Sequence, residues 1–467
     1  MTKTRDLADL GGGFIQAGTG AQQRTVESKL QDMVSVKDFG AVGDGVTDDT
    51  AAIQAAANYI SQTGKSVFIP IGTYITDPIT ISIQAYALQG SFFGSNRERT
   101  IIKRKTAGAG AFITFGQSDS DIFQTNAGFS NLKIDGGVNT NGPAFAGYNI
   151  VRSTYNDVIF SGGSHACRLY GGISVTFNNC LFEAAQYGLY CDNFTPPSGT
   201  SGFPNIIRVL SGEIVDNSVY GVYFDNGSSL ILDGIDVEGN GTTLGAAEGG
   251  VYIGPNIGSE TFVNDTSQIG ALIHNCWFES NRGIADIHFN SGINVITSSR
   301  FYSTSTESTN DLLVDGGRYQ LRTCNFSRTG KTNILENAGA ITGNLLECVE
   351  APVLSVSEQK TAIFNGDFLQ LRNGRVPGIN GSTAPLILTG TDSTSDNPTI
   401  IFNQAFKPGT VPIVVCSAVD NNGTVVDGPQ VYGITNSEFT VRKNMYNGTT
   451  VTTANYTISW IAIGENP

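Results

Sequence analysis

Apolar and polar residues alternate along this chain in short phrases that recur, and four near-copies fall between positions 179 and 279. They read Asn-Cys-Leu-Phe-Glu at 179–183, Gly-Glu-Ile-Val-Asp at 212–216, Gly-Ile-Asp-Val-Glu at 234–238 and Asn-Cys-Trp-Phe-Glu at 275–279. Each is largely apolar at alternate positions and ends on a carboxylate, as a half-buried strand does. A second phrase answers each of them: Tyr-Gly-Leu-Tyr-Cys-Asp at 187–192, Tyr-Gly-Val-Tyr-Phe-Asp at 220–225, Gly-Gly-Val-Tyr-Ile-Gly at 249–254 and Ile-Ala-Asp-Ile-His-Phe-Asn at 284–290. Two short strands and a turn, repeated without helices between them, predict the coils of a parallel β-solenoid. Related phrases at 131–135, 157–161, 298–302 and 323–327 bring the legible coils to at least eight. The closing carboxylates lie 33, 22 and 41 residues apart, so loops of unequal length must leave a core of constant coils.

Side chains alternate across a strand, so the phrases also predict which residues face outwards. Cys180 with Phe182, Ile235 with Val237 and Cys276 with Phe278 point into the coil. Leu181, Ile214, Asp236, Trp277 and Arg300 then point out on consecutive coils, about 4.8 Å apart. The carboxylates Glu183, Asp216, Glu238 and Glu279 make a second column where the strand turns. Tyr190, Tyr223, Tyr252 and His288 make a third in the second phrase, with Asp192 and Asp225 two positions further on. Glu213 does not fit, because this register puts it inside the coil. Either the phrase is shifted locally or a buried acid sits there.

Both ends of the chain read differently from its middle. Residues 1–33 are polar and Gly-rich, a neck in which 26–30 could begin a short helix. An Ala-rich helix over 49–60, with Thr47 to Thr50 supplying cap oxygens, would close the front of the solenoid. Asp44, Asp48 and Asp49 read as a cap and an acidic first turn in preference to a Ca²⁺ loop. Ser66–Pro70 is the first strand. The solenoid should run over 34–375 and a linker over 373–382. Six or so strands between 385 and 463 then predict a small antiparallel sandwich over 383–467.

Composition narrows the classes. A net charge of −14 removes the basic stripe that nucleic acid requires. There is no apolar run long enough for membrane insertion, and the first residues lack a signal-peptide pattern. Seven cysteines without framework spacing predict buried thiols and folding in a reducing cytoplasm. Three histidines give no transition-metal cluster, and no cofactor is expected.

The segment Asp-Phe-Gly-Ala-Val-Gly-Asp-Gly-Val-Thr-Asp-Asp-Thr-Ala-Ala-Ile-Gln at 38–54, with Val-Phe-Ile-Pro-Ile-Gly-Thr-Tyr at 67–74, resembles the opening of the pectate-lyase-like right-handed β-helix proteins. Within that superfamily it resembles bacteriophage tailspike depolymerases. The resemblance implies an all-β, right-handed parallel β-helix in a homotrimer, with sites on one face or between subunits. It also implies a virion tail protein, attached through its N-terminus to a baseplate or another tail protein and acting on a bacterial surface polysaccharide. The ending at 458–464 resembles the lectin-like sandwich of tail fibres, for which trimerisation and capping is preferred to sugar binding.

The outward columns supply chemistry for that expectation. Adjacent and alternate members of the acid column would lie about 5 and about 10 Å apart, bracketing the carboxylate separations of retaining and inverting glycosidases. Glu238 with Glu279, or Asp236 with Glu279, would act as acid and as base or nucleophile, with Asp216 as a further candidate. Trp277, Arg300, Tyr223, Tyr252, His288 and Tyr190 would hold the glycan. Bland readings stand beside these, since acids at solenoid turns cap amides and aromatic ladders stack on themselves. A lyase would use His288 with Arg300, and a non-catalytic adhesin would need neither.

Overall fold

The computed structural model describes residues 13–356 apart from 83–89, 118–122, 126–127, 138–140, 196–201, 226, 255–268, 305, 327–331, 338–339 and 347–353, and parts of 386–464. Contacts divide the chain into a unit ending at Ser355 and a second beginning at Val356. The expected solenoid limit at 375 and the linker 373–382 lie outside the described residues.

The first unit is a right-handed parallel β-helix. An eleven-stranded sheet takes one strand from each successive coil, from Ile79–Ile81 to Leu354–Val356, and its registers from Ile79–Ile81 to Thr332–Glu336 are parallel. A second, twenty-stranded sheet holds the long strands Ile173–Glu183, Asn205–Val215 and Ser228–Glu238. Each long strand bends at a left-handed residue of one row, Asn179 (φ 50°), Ser211 (φ 58°) and Gly234 (φ 65°), which Asn275 (φ 50°) and Ser298 (φ 52°) continue; further left-handed residues near the strand starts are Ser174, Ile206 and Ser229. Short polar side chains and glycine tolerate that conformation, which is why the row reads Asn, Ser and Gly.

A second left-handed corner follows at Ala184, Asp216, Gly239 and Ser280. Beyond it runs a ladder of wholly buried asparagines. Asn217 donates its Nδ2–H to Asn240 Oδ1 at 2.9 Å, and Asn240 donates likewise to Asn281 at 2.9 Å. The interior is apolar, with Phe278, Phe301 and Phe326 stacked at 5.0 and 4.8 Å between ring centres. Cys180, Cys276 and Cys324 are free thiols buried in it.

The front of the coil is closed by the helix Thr50–Thr63, which buries Ala52, Ile53, Ala56, Ala57 and Ile60. Its capping differs from expectation. Asp49 precedes the helix, but its carboxylate turns back to accept the amides of Val42 and Gly43. Asp48 takes the Thr50 amide instead, and Thr50 Oγ1 accepts from the Asp77 amide. Asp44 holds the amides of Val46 and Thr47. All three acids are thus engaged in local backbone turns. Gln54 bonds both backbone groups of Thr80, receiving its N–H at 3.0 Å and donating to its carbonyl at 2.8 Å. Before the coil, Gly13–Phe14 pairs with Arg24–Thr25, and Val26–Leu30 is a short helix.

The second unit contains two antiparallel sheets. One runs in the order Leu386–Thr394, Tyr456–Gly464, Ile413–Asp420, Val425–Val426, and the other Thr399–Ile401, Glu438–Arg442, Gln430–Tyr432.

Replacing Asn240 by Ala removes its bonds to the Ile214 carbonyl and to both neighbouring asparagines. The expected cost is about 2–4 kcal/mol, because buried polar partners are left unsatisfied. A reduced denaturant midpoint in guanidinium unfolding would record it.

Candidate functional site

Pairing of the long strands fixes the outer wall residue by residue. Leu181 pairs with Glu213, Glu213 with Asp236, Asp236 with Trp277, and Trp277 with Arg300. Glu213 therefore occupies the outward place expected for Ile214, which is buried in the core. The shift arises at Gly212, which sits at φ 104° opposite Cys180, where a Cβ would fall 2.1 Å from the Cys180 carbonyl oxygen. The phrase there is Ser-Gly-Glu-Ile-Val over 211–215, one residue earlier than its composition suggests.

The same shift corrects the second column. It runs Glu183, Val215, Glu238, Glu279, and Asp216 lies one position later in the left-handed corner. Glu183 is spent in an ion pair with Lys133 at 2.8 Å, a structural role. Higher up, four acids lie close enough to repel one another and make no ion pair among the described residues: Glu213, Asp236, Glu238 and Glu279. Burial, then Glu238, Glu213 and Glu279 in that order, push the Asp236 carboxyl up to about 6. One oxygen of Asp236 is buried and makes no hydrogen bond. The more open Glu238 is also raised, by burial and then by Glu279, Asp216 and Glu213. A buried carboxyl among like charges keeps a proton at a pH where an ordinary aspartic acid has lost it.

Above the acids stands an aromatic and cationic cluster. Trp277 is 36% exposed, and its indole N–H donates to Glu279 Oε2 at 2.7 Å. The Arg300 guanidinium lies 4.7 Å over the Trp277 ring and 5.6 Å over Tyr302. Among the described residues Arg300 makes no ion pair, so its donors face solvent beside the acids. Tyr302, exposed at 48%, joins the expected residues of this wall. The signal for it was present, because it stands where Glu279 stands in the preceding phrase.

The tyrosine column belongs to the other sheet. Tyr190 pairs with Tyr223, Tyr223 with Tyr252 and Tyr252 with His288. The rings stack on one another at 4.7 Å for Tyr190 and Tyr223 and 4.5 Å for Tyr223 and Tyr252, so their faces are largely occupied. Arg168 covers Tyr190 from the preceding coil. His288 is buried, bonds Asp315 through Nε2 at 2.7 Å, and is shifted below the ordinary imidazole range by burial, which Asp315 opposes. The structure gathers Asp236, Glu238, Glu279, Trp277 and Arg300 on one wall. It places Tyr190, Tyr223, Tyr252 and His288 on a different sheet, beyond the corner. His288 and Arg300 do not form a pair.

Residues 33–141 match the family described as rhamnogalacturonase A/epimerase, pectate lyase-like. Over nearly its whole length the chain also superposes on ORF18 of Geobacillus virus E2, with a TM-score of 0.52 and 16% identity, covering 95% of this chain and 87% of that one. The chain shares a parallel β-helix fold with these proteins. The gp42 tailspike of Acinetobacter phage vb_AbaP_AS12 shares this fold at a TM-score of 0.51 and 11% identity, over 90% of this chain and 84% of that one. Mannuronan C5-epimerase AlgE5 of Azotobacter vinelandii is 36% identical over 126 residues, or 25% of this chain. The match spans only 12% of that protein's length.

The electrostatics of this β-helix wall have a measurable consequence. Asp236 binds its proton more tightly when folded than when unfolded, so its contribution to stability is complete below about pH 4 and is lost as pH rises through about 6. Asp236→Asn should therefore melt at a higher temperature than the parent at pH 7.5, with the gap closing towards pH 4. Thermal unfolding at the two pH values checks this.

Proposed function

We propose that this chain is a phage tailspike that binds and depolymerises a bacterial surface polysaccharide by hydrolysis of a glycosidic bond. The observation that carries the reading is Asp236, an acid raised to about 6 among Glu213, Glu238 and Glu279 beneath an exposed indole and guanidinium. In this reading Asp236 is the general acid that protonates the leaving glycosidic oxygen. Glu279, or Glu238 on the neighbouring coil, is the carboxylate that activates water or attacks the anomeric carbon. Arg300 offers donors to a sugar carboxylate, and Tyr302 offers an exposed ring.

Hydrolysis is favoured over β-elimination because the acids are gathered on one wall, whereas His288 and Arg300 stand on different sheets. The protein would act outside the bacterial cell as a homotrimer in the virion tail. Residues 1–33 would face a baseplate or another tail protein, and the C-terminal sandwich would serve trimerisation. Mannuronan C5-epimerase AlgE5, which is similar over 126 residues, names a polysaccharide, which agrees with a glycan as the ligand class.

Purified protein incubated with a panel of bacterial capsular polysaccharides should release reducing ends from at least one of them, without the ultraviolet absorbance of unsaturated sugars. Asp236→Asn and Glu279→Gln should each lower the rate by about 10²- to 10⁴-fold. Full activity in both variants would remove this assignment, and absorbing products would replace hydrolysis by elimination.

A further inference from the structure

Trp277 has the look of a sugar-stacking residue, yet its surroundings engage it otherwise. Trp277 and Glu279 are two apart in the strand Trp277–Glu279, so both leave the wall on the same side. The indole N–H reaches Glu279 Oε2 at 2.7 Å. From the next coil Arg300 covers one face of the indole at 4.7 Å, and Tyr302 stands 6.1 Å away, tilted by 39°. On the other side lies the Asp236 coil, about 4.8 Å below. Glu238 pairs with Glu279 in the same column, yet among the described residues nothing bonds its side chain. One of two equivalent acids is thus held by a rigid donor and the other is not.

We propose that Trp277 is a positioning residue, whose indole N–H fixes the Glu279 carboxylate against the acid cluster while Arg300 fixes the indole. The proposal rests on the reading of Glu279 as an acting carboxylate. A glutamate on a strand has three rotatable bonds, and crowding by Asp236 and Glu238 favours rotamers that carry it away. A single charge-assisted hydrogen bond from a clamped ring selects the rotamer that stays. Glu279 is then pre-arranged, whereas Glu238 keeps its freedom, which singles out Glu279 as the partner of Asp236.

The test begins without a substrate. The chain has two tryptophans, so in ¹⁵N-tryptophan-labelled protein Trp460→Phe assigns the two indole N–H resonances. Glu279→Ala should displace the Trp277 resonance and speed its exchange with solvent by about tenfold or more, as expected on loss of a hydrogen bond. An unmoved resonance would overturn the proposal. Crystal structures of Trp277→Phe and Trp277→His come next. The Phe variant keeps a ring under Arg300 but has no donor, and its Glu279 should swing away. The His variant keeps a donor and should keep Glu279 in place. Glu279 unmoved in the Phe variant would overturn the proposal, and if neither variant folds the resonance of the parent chain decides.

On a capsular polysaccharide that the parent protein cleaves, Trp277→Phe should lower kcat by about tenfold with KM within about twofold, and Trp277→His should recover most of it. A rise in KM alone, equal in both variants, would mark a stacking platform and sink the positioning role. If the parent protein cleaves nothing in the panel, the proposed function fails, while the resonance and the crystal structures still decide what holds Glu279.

Discussion

Parallel backbone hydrogen bonds tie each coil to the next at a spacing of about 4.8 Å, and this ladder decides which side chains become neighbours. Residues 23 or 41 apart in the chain, such as Trp277 with Arg300 and Asp236 with Trp277, meet because they hold the same rung. The bends obey the same ladder. A row of left-handed residues, from Asn179 through Ser298, turns successive coils at the same height, and the buried asparagines beyond it repeat the lock. A coil that gained or lost one residue at this bend would exchange its inner face for its outer one.

Stacking in register also concentrates whatever a column contains. Where the column holds one acid and a lysine nearby, as with Glu183 and Lys133, the charges compensate. Over the next three coils the ladder delivers Glu213, Asp236, Glu238 and Glu279, which make no ion pair among the described residues, and the proton affinity of Asp236 rises. The opposite sheet applies the rule to rings. Tyr190, Tyr223 and Tyr252 stack at about 4.6 Å, so what remains outside is a strip of edges and phenol oxygens. The two walls are chemically different because one column repels itself and the other attracts itself.

Much of this was legible in the sequence. Periodicity of two, the recurring phrases and the opening motif carry the solenoid, its front helix and the inward Cys and Phe residues. The separate antiparallel unit follows from strand patterns after 385. Glu213 marks where the reading stopped. The phrase at 212–216 looks like its neighbours, but glycine fits both the bend and the position after it, and only the close approach to the Cys180 carbonyl fixes the choice. That choice moved Asp216 out of its column and Ile214 into the core. The separation of the tyrosines from the acids was hidden for another reason, because alternation shows which residues point outward without showing which wall they point from. Tyr302 escaped notice because its phrase ends on a ring where the others end on a carboxylate.

Gln54 closes the front of the eleven-stranded sheet by bonding both backbone groups of Thr80 with one side-chain amide. A side-chain amide carries the same donor and acceptor as a peptide group, so Gln54 stands in for the strand that would otherwise precede Ile79–Ile81. A bare parallel edge is an invitation to strand addition by another molecule, and a long solenoid made in many copies at once would be prone to end-to-end fibrils. With Thr80 already satisfied, growth from that end gains no new backbone bonds there. Gln54 therefore helps to keep the β-helix finite in length.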